Sequence, residues 1–361
     1  MRGIAQKSQL GIIAAALTFT CMAKTGMAQG CVAAHSPQPT IAGLSGSDQP
    51  WSLDHNFLHG LTVTTGFRTY SSFRHYVGTV FQLQRQTGHN EVENHVDLYD
   101  LGLNYQLTPR WSVIADIPGL TATRHQQGSN PFNTYRSGGI GDVTVGAQAW
   151  IWRPPTESHG NVAVSASLKL PTGINDAKGE KKLSNGTVLI EPFDESIQPG
   201  DGTWGFSLAT AAYRELYFHT YGYFTGSWLF SPEDTTGVLT YRSAPGEAVN
   251  SATDQYLWRG GFSRNIPKVR GLALSAGGRM EGIPVRDAFG KSDGFRRPGY
   301  VISFEPGVMY SWRRYEFNAS GPWAIQRNRR RSVTDIANGP TVHGDAAFSD
   351  YTVIASVSRS F

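Results

Sequence analysis

From Asn161 to Leu170 the chain reads NVAVSASLKL. Val162, Val164, Ala166, Leu168 and Leu170 fall on one parity, and Ser165, Ser167 and Lys169 fall on the other. Period two predicts a β-strand with one apolar and one polar face. The same alternation recurs along the chain. In GLALSAGGRME, Leu272, Leu274, Ala276 and Met280 oppose Ser275, Arg279 and Glu281. In YVISFEPGVMYSW, Tyr300, Ile302, Phe304, Val308, Tyr310 and Trp312 oppose Ser303 and Glu305. The ending, YTVIASVSRSF, alternates to its last residue: Tyr351, Val353, Ala355, Val357, Arg359 and Phe361 share one parity, and serines and Thr352 hold most of the other. Twelve segments read this way, at about 57–73, 92–106, 111–124, 139–153, 160–170, 203–214, 215–230, 254–265, 269–284, 298–313, 314–328 and 348–361.

The connections between these segments alternate in length. LTPR (107–110), RPPTESH (153–159), Arg214-Glu215, NIPKV (265–269) and Arg313-Arg314 are short, whereas 74–91, 125–138, 171–202, 231–253, 285–297 and 329–347 are long and polar. Long loops count against strand assignments in a compact soluble domain. They are the rule in outer-membrane barrels, which have short periplasmic turns and long extracellular loops. An even strand count puts both termini on the short-turn side, where the terminal aromatic Phe361 is expected to serve as the signal read by the barrel assembly machinery. The expected fold is an all-β transmembrane antiparallel β-barrel of about twelve strands. A large soluble antiparallel sandwich is the alternative that alternation alone would allow.

The N-terminus agrees with export. Arg2 and Lys7 precede an apolar stretch from Leu10 to Ala23, and Gly26 and Ala28 suit a cleavage site, so 1–28 reads as a signal peptide. Residues 29–55 read as a flexible periplasmic lead-in, and 56–361 as the barrel. Of the formal net charge of +4, Arg2, Lys7 and Lys24 contribute three and the signal carries no acid, leaving +1 on the mature chain. That excludes the basic pI as a nucleic-acid argument. Cys21 lies in the signal, so Cys31 alone remains and no internal disulfide can form. No later segment approaches a membrane helix, but a mean hydropathy of −0.31 is compatible with a barrel, in which only alternate strand residues meet lipid. With 41 Gly, 15 Tyr, 9 Trp and only 17% charged residues, the composition suits twisted strands and interfacial aromatic girdles.

Two stretches carry a resemblance. SGGIGDVTVGAQAWIW (137–152) and SLKLPTG (167–173), with DLYDLGLNYQLTPRWSVIADIP (97–118) before them, are similar to an outer-membrane transporter family labelled for the meta pathway of phenol degradation. The resemblance implies a β-barrel and, by analogy, passage of small, often aromatic molecules.

Candidate chemistry is sparse. The ten histidines are scattered, without zinc-ligand spacing. There is no Gly-x-Ser-x-Gly, although a lipid-modifying outer-membrane enzyme, with His219 on a strand and pointing inward, stays as a third reading. The inward parity collects Asp116, Lys169, Arg279, Glu281, Glu305 and Glu316. These either line a wet channel and set its selectivity or pair across the lumen and plug it. Loop 171–202 is rich in Lys, Glu and Asp, and either stays solvated or folds inward as a constriction. Arg296, Arg297, Arg327, Arg329, Arg330 and Arg331 gather at the long-loop side, where the phosphates within reach would belong to lipopolysaccharide. The expected function is passive passage of small hydrophobic or aromatic molecules across the outer membrane of a Gram-negative bacterium, without catalysis or cofactor. The expected partners are outer-membrane lipid, lipopolysaccharide, the assembly machinery and a small-molecule solute, with no nucleic acid. A closed structural or surface-interaction barrel is the runner-up.

Overall fold

The computed structural model describes residues 60–126, 132–152, 159–217, 219–240 and 242–361. The signal peptide and the lead-in at 29–55 lie outside them.

The alternating segments form one antiparallel sheet that closes on itself. Its strands are β1 (Leu61–Ser72), β2 (Val92–Gln106), β3 (Trp111–Gln126), β4 (Asn133–Ile140 continued by Thr144–Trp150), β5 (Gly160–Lys169) and β6 (Gly205–Glu215). The second half comprises β7 (Thr220–Phe230), β8 (Gln255–Asn265), β9 (Leu272–Ile283), β10 (Gly299–Trp312), β11 (Tyr315–Ser320 continued by Trp323–Arg329) and β12 (Val353–Ser360). Each pairs with its sequence neighbour, and β12 closes the barrel on β1 in a register running from Thr62 opposite Ser360 to Thr69 opposite Val353. Closure removes the exposed edges that an open sheet would leave unpaired. Strands of 10 to 16 residues, as in β5 and β3, reach or exceed the 9–11 or so that a tilted strand needs to cross a bilayer. No helix among the described residues is long and apolar enough to cross a membrane.

The outward face is the apolar one. Val164 and Leu168 are 43% and 42% exposed, whereas the inward Lys169 is 5% exposed. Phe224, Phe262, Leu274, Phe304, Ile325 and Val357 are likewise exposed. A soluble sandwich would turn these residues into a core, so the arrangement answers the alternation with a lipid-facing surface.

Two staves are broken. β11 is interrupted at Gly321-Pro322, where proline has no N–H to give the ladder, and a register shift follows against β10. β4 is interrupted at Gly141-Asp142-Val143, and β5 stops at Lys169, just before Leu170-Pro171. The two motifs behind the family resemblance meet at this joint. Thr172 Oγ1 accepts from Val143 N–H at 2.9 Å and donates to Gly141 O at 3.1 Å, while Asp142 accepts from the N–H groups of Gly173 and Asp201 at 2.9 and 3.0 Å. A Cβ on Gly173 would come within 2.8 Å of both Gly141 and Gly200, so three backbones touch only because each is glycine.

The structure shifts three expected boundaries. β4 begins at Asn133 rather than 139, because the polar segment Asn133–Ile140 extends the ladder along β3 and carries no apolar alternation. The connection between β6 and β7 starts after Glu215, because Arg214 and Glu215 stay in the ladder opposite Gly222 and Tyr221. His219 therefore sits in a turn, at φ +58°, rather than in a strand. The segment from 348 to 361 is split: Ala346–Phe348 pairs with Arg74–Val77 in the loop layer, and the barrel strand starts at Val353.

Candidate functional site

The lumen has three levels. The lowest, on the short-turn side, is a cavity of about 1140 Å³. Its wall is built from inward positions bearing small polar groups, among them Thr64, Ser165, Ser207, Ser275 and Ser356, together with Tyr223. Asp100 and Asp116 share this wall on neighbouring strands, and Asp116 Oδ2 is shielded from solvent without a hydrogen-bond partner among the described residues.

Above the cavity, a belt of charge crosses the lumen. Arg68 on β1 donates to both oxygens of Glu281 on β9, at 2.9 and 3.1 Å. Arg279 donates to the same carboxylate at 2.8 Å and lies 3.9 Å from Glu305 on β10. Arg259 on β8 grips Glu305 bidentately at 2.8 and 2.9 Å, and Ser320 on β11 donates to it at 2.8 Å. β1 and β9 are separated by three strands around the barrel, so the Arg68–Glu281 pair bridges the interior rather than the wall. Arg279, Glu281 and Glu305 are each 2% exposed. Charges this deep are tolerable only because each meets an opposite charge.

The top level is made by the long loops. A hairpin at Lys178–Lys182 and Val188–Pro192 leads into a one-turn helix, Glu195–Ile197, whose last residue is fully buried. Ile197 packs against Tyr70, Val96, Leu98, Leu120 and Ala122, all inward residues of β1, β2 and β3. Ionic contacts hold the segment down on both sides. Asp194 pairs with Arg124 of β3 at 3.3 Å and with Arg297, which donates to its Oδ1 at 2.9 Å. Lys169 pairs with Asp201 and lies 3.7 Å from Asp142. Burial alone would raise the Asp194 carboxyl, but the two guanidinium groups outweigh it and hold the group well below the usual carboxylate range. Glu195 has no such pairing. Burial pushes it up to about 8, with Arg297 opposing and Asp194 and Asp201 adding to the rise. Across the layer, Asp345 accepts from His75 at 2.9 Å and pairs with Arg85 at 2.7 Å, which ties the first long loop to the last.

Of the inward residues named from sequence, Arg279, Glu281 and Glu305 form the belt, Lys169 is the lower anchor of the loop, and Asp116 faces the cavity. Glu316 is buried beside Asn318, which donates to it at 2.9 Å. Loop 171–202 proves to be both of its alternatives at once: its hairpin is largely exposed and its returning arm, 197–200, is buried. The expected lipopolysaccharide contact fails for Arg296 and Arg329. Each is 1% exposed, Arg296 pairing with Asp287 and Arg329 with Asp335 at 3.2 Å, so neither reaches a lipid phosphate. Arg297 pairs with Asp194 and Arg327 with Asp350. Arg331 donates to the carbonyls of Val342 and Asp335 at 2.8 and 3.0 Å, which leaves Arg330 as the exposed member of the group. Sequence reasoning missed Arg68, Arg259 and Asp100. Their parity was readable once β1, β8 and β2 were in register with strands already assigned.

No family model and no curated protein matches the chain. Among solved structures, an outer membrane channel of Pseudomonas putida F1 matches at 12% identity and a TM-score of 0.52, over 87% of this chain and 100% of that one. The Pseudomonas putida toluene transporter TodX matches at 10% identity and a TM-score of 0.45, over 92% and 96%. The β-domain of the Bordetella autotransporter BrkA matches at 14% and 0.45, over 83% and 100%.

Proposed function

We propose that this chain is an outer-membrane channel for passive passage of small apolar or aromatic molecules. The observation that carries this reading is the interior. A barrel built only as a scaffold would fill its lumen with side chains, whereas this one keeps a cavity of about 1140 Å³ below a lid held by ion pairs. The apolar outer surface and the shared fold with a bacterial outer membrane channel support the location. The apolar band beneath the loop layer supports the solute class, in line with the resemblance to transporters labelled for phenol degradation. On this reading no residue performs covalent chemistry, Phe361 serves assembly, and Arg330 is the arginine available to outer-leaflet phosphate.

One observation favours a second reading, a closed structural barrel: the charge belt spans the lumen with its carboxylates buried. Refolded protein in liposomes separates the two. Saturable uptake of a labelled monoaromatic solute supports the channel. The absence of uptake and of conductance in planar bilayers, in the intact protein and in a form lacking 178–192, leaves only the closed barrel.

A further inference from the structure

Inward positions of a barrel lumen are expected to be polar, and most here are. On β1, β2 and β3 the inward residues nearer the short turns include the polar Thr64 and Arg68, Asn104 and Asp100, and Ser112 and Asp116, with Ile114 an apolar exception between the last two. At the far rim they are polar again: Ser72, Asn94 and Arg124, joined by hydrogen bonds of 3.0 and 2.9 Å. Between these polar zones lies a compact interruption. Tyr70 sits opposite Val96, Val96 opposite Ala122, and Leu98 opposite Leu120. Five apolar side chains thus form one patch on the inner wall, and each is less than 10% exposed.

The patch serves no wall-to-wall packing, because it faces the lumen. Ile197 from the loop packs onto it and is itself fully buried, with Phe193 of the same loop and Tyr135 packed against the cluster. The turn that delivers Ile197 is three residues long and is held by polar contacts. The Asp194 side chain accepts from Ser196 N–H at 3.1 Å, and Gln198 donates to the carbonyls of Ala177 and Phe193, both at 3.1 Å. Phe193 and Tyr135 stand at the edge with their rings 5.6 Å apart. These contacts add to the ion pairs that Asp194 makes with Arg124 and Arg297, and the apolar patch has no water-compatible substitute for Ile197.

We propose that this patch is a binding site for a small neutral apolar solute and that Ile197 is a built-in occupant which the solute displaces. The proposal rests on the channel reading for its purpose. The site takes a ring or short chain laid against Leu98 and Leu120, with Phe193 and Tyr135 swinging with the turn to admit it. The patch itself is apolar, so it calls for a neutral solute. A self-occupied site lowers the apparent affinity by the fraction of time the occupant is seated, so weakening the occupant strengthens binding.

The test uses the full chain refolded in nanodiscs with fluorobenzene as probe, and reads saturable ¹⁹F line broadening above the lipid-partitioned background. Heat-modifiable gel mobility checks that every variant is a closed barrel. Ile197→Ala is expected to bind about tenfold more tightly than the unmodified protein. Leu98→Asn, which places an amide in the patch, is expected to lose the saturable component, and Ala122→Phe, which fills the patch without adding polarity, is expected to lose it too. Unchanged affinity in Ile197→Ala, or retained binding in both patch variants, overturns the site. The outcome is separable from the channel reading. Saturable binding without liposome uptake keeps the site and removes the channel, while uptake that proceeds with no saturable binding keeps the channel and removes the site.

Discussion

The two ends of the lumen are made from the same strands and differ in what closes them. Toward the short turns the wall carries hydroxyls and amides and surrounds a cavity of about 1140 Å³. Toward the long loops the space is filled by ion pairs, a buried turn and an apolar patch. The lower half follows the simple barrel pattern of polar residues inside and apolar residues outside at most positions, with exceptions at Ile114 and in the buried cluster of Trp150, Ala163 and Tyr213. The upper half departs from it at Tyr70, Val96, Leu98, Leu120 and Ala122, and there the loops fold in. Departures from the local rule mark the places where a fold gives up uniformity for function.

The belt between the halves should give the largest effect. Glu305 holds both Arg259 and Arg279. Glu305→Gln leaves the three guanidinium groups of Arg68, Arg259 and Arg279 with Glu281 as the belt's one remaining carboxylate, and loss of a partner from a buried pair costs about 3–5 kcal/mol. The refolded barrel should unfold at markedly lower denaturant, and ion conductance should appear or rise. An unchanged midpoint together with unchanged conductance would show that the belt neither stabilises nor separates the two halves.

Next in size is the contrast between the faces of a single strand. Arginine at Val164 should cost about 2–4 kcal/mol if that residue lies near the bilayer midplane, and less toward the interface. Ser165→Arg puts the same charge into the cavity and should cost far less. Equal costs, measured by denaturant titration in lipid vesicles, would refute the lipid-facing assignment.

The upper half should also respond to pH, through Glu195. Its carboxyl ordinarily titrates near 4.5 and is pushed up to about 8 in the seated turn. The seated form therefore binds the proton more tightly than the released form. The stabilisation is complete below about 4.5, weakens as pH rises, and is lost through about 8. Conductance should accordingly increase between pH 5 and pH 9, and Glu195→Gln should flatten that increase. A pH response of equal size in the variant would assign it to another group.

Much of the barrel was legible because alternation is a one-dimensional signal: the Val162–Lys169 stretch names its own lipid face. The charge parity of β9 likewise put Arg279 and Glu281 on the polar side. What could not be read was pairing across the lumen. Arg68 and Glu281 are 213 residues apart, and only closure of the sheet brings them together. The six arginines of the long-loop side misled for a related reason. A basic cluster looks solvated until the acids that neutralise it fold back, Asp287 and Asp335 from within the same loops as Arg296 and Arg329, and Asp194 from a loop 103 residues from Arg297. Ile197 gave no signal, since one isoleucine in a polar loop has no periodicity to announce burial.

The smallest effect is expected at the seam where the chain ends. Phe361 N–H donates to Leu61 O at 2.9 Å, a backbone contact that survives loss of the ring. The ring itself lies under the Arg359 guanidinium, 4.3 Å from its centre, and Arg359 also lies 5.5 Å from the Tyr315 ring. An exposed cation–π contact is worth about 0.5–1 kcal/mol, so Phe361→Ala in the refolded barrel should lower stability by no more than that. Tyr315 remains to hold Arg359. If the terminal ring serves assembly, as we propose, the same substitution should reduce insertion in cells out of proportion to its thermodynamic cost, with protein accumulating in the periplasm. Outer-membrane fractions and heat-modifiable mobility read the cellular effect, and denaturant titration reads the other. Normal insertion in cells would make Phe361 an ordinary seam residue, whereas a large loss of stability in vitro would place it with the belt as a structural element of the barrel.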